Sequence, residues 1–256
     1  MEKKYISDTN FKVLNRDTIK YVAMVTMLLN HIAHVFLISG TMLYEVFEDI
    51  GYFTAPVMCF FLVEGYEHTR SRTKYGLRLL IFAAISQIPY TLAFRFGNLN
   101  MIFTLLCCFL ILMSMDRIEN QLLRMIVCMI LTLATAVSDW GLIAPICTIL
   151  VHNGKDNPKK MAFGYGIVYV MFVVFNVQNY MYGVQGNWTM YAVVHALISG
   201  AGIIAAAVTV LVLYNGKRAE RGRSFSKWFF YIFYPGHLLI LYLIKMGQNI
   251  LSDIGV

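Results

Sequence analysis

Long apolar runs alternate with short polar stretches along nearly the whole chain, and the runs have the length of membrane-spanning helices. The first is predicted at 18–39 and the second at 52–66, the latter with a tilted or interfacial start before it. Further runs fall at 75–94, where Pro89 predicts a kink, at 101–115 and at 121–137. A tight turn at Ser138-Asp139-Trp140-Gly141 leads into a short run ending near Val151. The last three are 161–177, then, after the uncharged segment 178–187, a long run at 188–214, and finally 227–250. The fourth and sixth runs are short enough to be re-entrant. The predicted fold class is all-α: a polytopic membrane protein of about nine transmembrane helices.

The charges test that count. With the N-terminus cytosolic, the tail and the even-numbered connections must hold the Lys and Arg residues. The tail has Lys3, Lys4, Lys12, Arg16 and Lys20. The inner connections have Arg70, Arg72, Lys74 and Arg78, then Arg117 and Arg124, then Lys155, Lys159 and Lys160, then Lys217, Arg218, Arg221, Arg223 and Lys227. Only Arg95 and Lys245 fall outside. A wrong number of spans would have scrambled this alternation.

Composition agrees: of 256 residues 59% are hydrophobic and 14% charged, against about 25% charged in soluble domains. The net charge of +7 is accounted for by the inner loops and does not call for nucleic acid. Cys59, Cys107, Cys108, Cys128 and Cys147 sit in apolar runs, without metal-ligand spacing or a disulfide framework. No cleavable signal, internal repeat or linker is evident, so the expected organisation is a basic cytosolic lead-in at 1–17 and one membrane domain at 18–256.

The chemistry concentrates in the first helix. At ~1.5 Å per residue, the eleven steps from Lys20 put His31 roughly 16 Å deeper, near the middle of a ~30 Å hydrocarbon layer. Asn30 and His34 lie beside it, and His31 and His34 share a face. Polar groups at that depth are functional candidates, although buried packing histidines are the plain alternative. Elsewhere, Glu64 near the inner edge is a pocket residue or a helix-locking ion pair. Lys74 and Arg78, one turn apart, can hold a phosphate or simply belong to the inner basic excess. Gln87 lies deep in the third helix. Asn98, Asn100 and Asp139 lie at outer helix ends, where capping is the simpler role. His237 sits about ten residues into the last helix, below Pro235, and His195 in the eighth reads as structural.

No Walker loop, dinucleotide fingerprint or nucleophile elbow is present. A mid-membrane histidine, a cation near the cytosolic start of the same helix and a basic inner rim suit acyl transfer from a phosphate-bearing cytosolic donor. The histidine takes the acceptor's proton or the acyl group itself.

These residues resemble the TraX family, named for a conjugal-transfer protein that acetylates pilin. The resemblance is carried by Lys20 through Asn30-His31-Ile32, where the family commonly has Asp-His, and by the block from Pro56 to Phe94 with Glu64-Gly65-Tyr66, His68-Thr69-Arg70 and Leu77-Arg78-Leu79-Leu80. It continues through Ile88-Pro89-Tyr90, Asn100-Met101-Ile102-Phe103-Thr104, Asp139-Trp140-Gly141 and Phe233-Tyr234-Pro235-Gly236-His237. The family is itself similar to the acyltransferase-3 group, whose Arg-x10-His spacing appears here as Lys20-x10-His31, with Lys74-Tyr75-Gly76-Leu77-Arg78 resembling its second basic cluster. Lys lacks the guanidinium fork, and Asn30 cannot be a charged orienter of a histidine.

The resemblance implies an acetyl-CoA donor bound from the cytosolic side of a bacterial cytoplasmic membrane; no metal is expected, because no His/Cys/Asp cluster has a clear metal spacing, although His31 and His34 alone could contribute two ligands. His31 with Lys20 and Asn30 would form the catalytic group, and Lys20, Arg70, Arg72, Lys74 and Arg78 the donor site. His34, Glu64, Gln87, Asn100, Asp139 and His237 would face an acceptor: a peptide amine, a glycan or a lipid-linked group of the envelope. The expected partners are thus acetyl-CoA, membrane lipids and that acceptor. Two other classes stay open: a proton-coupled transporter or flippase, and a non-catalytic membrane component of a secretion or conjugation complex.

Overall fold

The computed structural model describes residues 11–94, 97–182, 189–220 and 222–254. Lys3, Lys4, Arg95 and Arg221, used in the charge count, lie outside the described residues, as does 183–187 of the uncharged segment. The protein is an all-α bundle. Among the described residues, six helical segments are long and apolar enough to cross a membrane: Arg16–Phe36, Met42–His68, Arg72–Phe94, Pro158–Gln178, Met190–Leu213 and Trp228–Ser252.

The first helix, α1 (Arg16–Phe36), starts at Asn15, whose side chain accepts the Thr18 N–H at 2.9 Å, with Asp17 in the first turn. The predicted second span begins earlier than its apolar run suggested. A short helix α2 (Met42–Gly51) packs along α1 and passes through a break at Tyr52 and Phe53 into α3 (Thr54–His68). Gly51 permits this approach: a Cβ there would stand 2.3 Å from the Cβ of Asn30.

Next come α4 (Arg72–Phe94), with Pro89 inside it, and α5 (Met101–Arg117). The latter is apolar on all sides and accordingly lies at the centre, packed against α3, α4, α6 and α7. Both α6 (Gln121–Ala134) and α7 (Ile143–Gly154) are short, and α6 shows Leu122, Met125, Met129 and Leu133 to the outside, where lipid tails would meet them.

The chain continues as α8 (Pro158–Tyr182), α9 (Thr189–Ser199), α10 (Ala201–Val208) and α11 (Arg223–Ile254). The predicted long eighth run is therefore broken. At Gly200 the Tyr169 ring comes so close that a Cβ would sit 2.3 Å from its Cε2, and the run closes with a π-helical stretch, Thr209–Leu213.

Between helices in lipid there is little hydrophobic drive, so polar ties and close packing hold the bundle, a hydrogen bond between buried helices being worth about 0.6–2 kcal/mol and a part-exposed ion pair at a helix end about 0–1 kcal/mol. Thr26 and Thr54 hydroxyls meet at 2.8 Å between α1 and α3. Arg72 pairs with Asp116 at 2.9 Å, and Lys155 with Glu67 at 2.6 Å. Together these gather the polar ends of α3, α4, α5 and α7 on one side of the bundle. The last helix, α11, lies against both α1 and α4, which places the end of the chain beside its beginning.

Candidate active site

One face of α1 sets the geometry. Arg16, Lys20, Met24 and Met27 recur at helical spacing and line a cavity of about 490 Å³. His31 is the next member of that stripe. The mouth of the cavity carries Arg16, Lys20, Arg70, Arg78 and Arg218, with Asp17 as the acidic side chain among its lining. Arg78 stands over the Tyr75 ring at 5.6 Å, and its Nε is buried with no hydrogen-bond partner among the described residues. The Lys20 ammonium lies 5.4 Å from the Phe61 ring centre and 5.2 Å from that of Phe230. A cation held against aromatic faces and a guanidinium with a buried, unbonded Nε together favour an anionic guest. Deeper in, the wall is apolar, ending at Met27, Met101, Ile102 and Tyr234.

Helix α11 supplies a second stripe: Phe230 and Tyr234 line the cavity, and His237 follows one turn later. The two histidines meet just behind the cavity's end. His31 Nδ1 and His237 Nε2 are 2.7 Å apart, the rings are nearly parallel at 8°, and both residues are 5% exposed. Phe94 packs edge-on against His31 at 5.1 Å. His237 Nδ1 is 2.7 Å from the Phe233 carbonyl, which can only accept. That fixes the tautomers of a neutral pair. His237 carries its hydrogen on Nδ1 and accepts at Nε2, so His31 donates from Nδ1 and keeps an unprotonated Nε2. The arrangement is a histidine base oriented by a second histidine.

The other expected site residues are placed as follows. Asn30 turns away from His31 and donates to the Glu48 carbonyl at 3.3 Å, so the group orienting His31 is His237 and not Asn30. Lys20 lies at the mouth, three helical turns from His31, and does not touch it. Arg70 and Arg78 line the cavity, whereas Arg72 is held by Asp116 and the Tyr66 ring and Lys74 is exposed outside the lining.

Glu64 accepts from the Tyr214 hydroxyl and pairs with Arg16 at 3.4 Å, which makes it a lock at the mouth. His34 joins a separate network with Tyr44 at 2.9 Å and Glu48 at 3.5 Å. Asn100 uses its whole side chain internally: Oδ1 accepts from Ile102 and Phe103 N–H, and Nδ2 donates to Ala83 O and Gln87 Oε1. Gln87 is equally engaged, donating to the Asn98 carbonyl at 2.9 Å.

Asp139 is half-buried at a turn tied to Leu99, where Trp140 and Leu142 take left-handed φ values of 57° and 62°. Burial pushes its carboxyl up to about 6, with the Trp140 N–H opposing the rise. Arg16, Arg218 and Tyr234 were not among the expected site residues. Helical spacing from Lys20 and from His237 was the available signal for Arg16 and Tyr234; nothing local marked Arg218.

An all-α, multi-pass membrane protein with a cation-rimmed cavity running toward a buried histidine pair is the class that fold and site define. The family model described as "TraX protein" matches residues 15–245, and the chain belongs to that family. The probable fimbrial assembly protein FimC, serogroup H1, of Dichelobacter nodosus is 29% identical over 240 residues, covering 89% of this chain and 94% of that protein. No solved structure matches.

Proposed function

We propose that this protein is an acetyltransferase of the bacterial cytoplasmic membrane, moving an acetyl group from cytosolic acetyl-CoA to an amine or hydroxyl of an envelope-associated acceptor. The observation that carries the reading is a cavity whose cationic mouth leads to a deep end at Met27 and Tyr234, with the His31–His237 pair packed behind Tyr234. The fit to the donor is chemical and metric. Arg16, Lys20, Arg70, Arg78 and Arg218 suit its phosphates. The apolar shaft between Lys20 and His31, roughly 16 Å along α1, suits the extended pantetheine arm. On this reading the thioester lies at the deep end of the cavity beside Met27 and Tyr234, with the His31 ring 6.3 Å from that of Tyr234.

His31 Nε2 takes the acceptor's proton as the acceptor attacks the thioester carbon. The same proton is then returned to the departing thiolate, so no net proton moves. His237 holds the base in the required tautomer and spreads the charge of the transient imidazolium. The name of the Dichelobacter relative brings a fimbrial subunit amine into the set of acceptors to be tried, alongside glycan and lipid-linked groups.

The test is turnover of labelled acetyl-CoA by purified protein and by His31→Ala and His31→Gln. We expect at least ~10²-fold loss in both with donor binding intact. Near-normal turnover in either would remove His31 from the reaction. A wild-type protein that does not bind CoA would leave the non-catalytic membrane component as the reading.

A further inference from the structure

The cavity ends on a tyrosine whose hydroxyl is only half used. Tyr234 is 5% exposed and lines the deep end of the cavity, with its ring 6.3 Å from that of His31 and 5.7 Å from that of His237. Its oxygen accepts the Met101 N–H at 3.2 Å. That donor is the first residue of α5, whose next two N–H groups are already taken by Asn100 Oδ1. The phenol therefore closes the helix start as a third acceptor. Among the described residues nothing accepts the phenol's own hydrogen, and a phenol buried in an apolar wall normally finds an acceptor. Accepting from the positive end of α5 polarises the O–H and strengthens it as a donor.

We propose that Tyr234 is the oxyanion donor of this site, its O–H holding the acyl carbonyl oxygen of a bound thioester. The inference rests on the acetyltransferase reading above and adds the group that carries the developing charge. As the acceptor's nitrogen or oxygen bonds to the acyl carbon, the carbonyl π pair moves onto oxygen, where Tyr234 donates to it, and the acceptor's proton passes to His31. Collapse restores the C=O, breaks the C–S bond and sends the sulfur away with the proton from His31. Tyr234 neither gains nor loses a proton over the cycle.

The experiment uses the full chain in detergent or nanodiscs and a ketone isostere of acetyl-CoA, sulfur replaced by methylene, carrying a ¹³C carbonyl. It cannot transfer its acyl group, so binding and carbonyl polarisation are read without turnover. Isotope-edited infrared spectra should show the carbonyl stretch moved to lower wavenumber on binding to wild type and returned toward its solution position in Tyr234→Phe. With acetyl-CoA itself, Tyr234→Phe should lose about 10²–10³-fold in hydrolysis or transfer while donor affinity stays within about twofold.

A bound but unshifted carbonyl in wild type would overturn the assignment, and this arm needs no variant to fold. Turnover by Tyr234→Phe within about threefold of wild type would overturn it as well. A wild type that fails to bind either compound would overturn the acetyltransferase reading itself, and that is a different result from binding without polarisation.

Discussion

Replacing His237 by Phe tests the histidine pair most directly. The ring volume is kept, and the acceptor for His31 Nδ1–H, now 2.7 Å away, is lost. That N–H sits in a residue 5% exposed, so no water replaces the partner. An orphaned buried donor costs about 1–3 kcal/mol, and the bias toward the tautomer with a free Nε2 disappears with it. If that cost falls on the reactive state, turnover drops roughly 5–150-fold.

Donor affinity should be unchanged, because His237 lies behind the cavity's end and outside its lining. His237→Gln, whose Oε1 can accept the same hydrogen, should recover part of the loss. The tautomer is visible without any turnover. In ¹⁵N spectra of histidine-labelled protein, wild-type His31 should carry hydrogen on Nδ1 and a free lone pair on Nε2. His31 protonated on Nε2 in the wild type, or full turnover by His237→Phe, would refute the reasoning.

Three further outcomes are expected. Arg78→Ala removes a guanidinium that lines the mouth and should weaken CoA binding by about tenfold or more, measured by titration calorimetry. Arg72→Ala, whose side chain is committed to Asp116, should instead lower thermal stability and leave CoA affinity alone. Asp139 holds its proton more tightly folded, at about 6, than unfolded, at 3.8, so its contribution to stability falls as pH rises from about 4 to about 6 and is constant above. Asp139→Asn should therefore gain stability relative to wild type across that window, by at most about 3 kcal/mol, read from melting temperatures at several pH values; a difference independent of pH would refute it. Reporter fusions after Arg72 and after Lys217 should read as cytosolic and one after Gly40 as external, and a cytosolic signal at Gly40 would remove the proposed orientation.

The membrane class was legible because its causes are local. A bilayer demands long apolar helices whose backbone bonds close within each segment, and both conditions leave their mark on consecutive residues. Breaks in those helices were less legible. The run at 188–214 reads as a single helix, yet the chain divides at Gly200, where the Tyr169 ring fills the space a side chain would need; the break at Tyr52–Phe53 falls at the start of the 52–66 run, between it and the short helix before it. Such a break depends on what packs against the helix, and hydropathy does not carry that information.

The site divides along the same line. Periodicity alone puts Arg16, Lys20, Met24, Met27 and His31 on one stripe of α1, because the helical repeat is a property of the backbone. What that stripe faces was decided by tertiary structure. His237 is 206 residues from His31, and no spacing rule could pair them. The same folding turned Asn30 toward Glu48, Arg72 toward Asp116 and the side chains of Gln87 and Asn100 toward each other. Sequence determined which residues are polar at membrane depth and therefore had to find partners. Only the packing of the helices determined which partner each one found, α11 against α1 for His31, α2 against α1 for Asn30 and α4 against α5 for Arg72, because a hydrogen bond depends on where two helices meet and not on how far apart their residues lie along the chain.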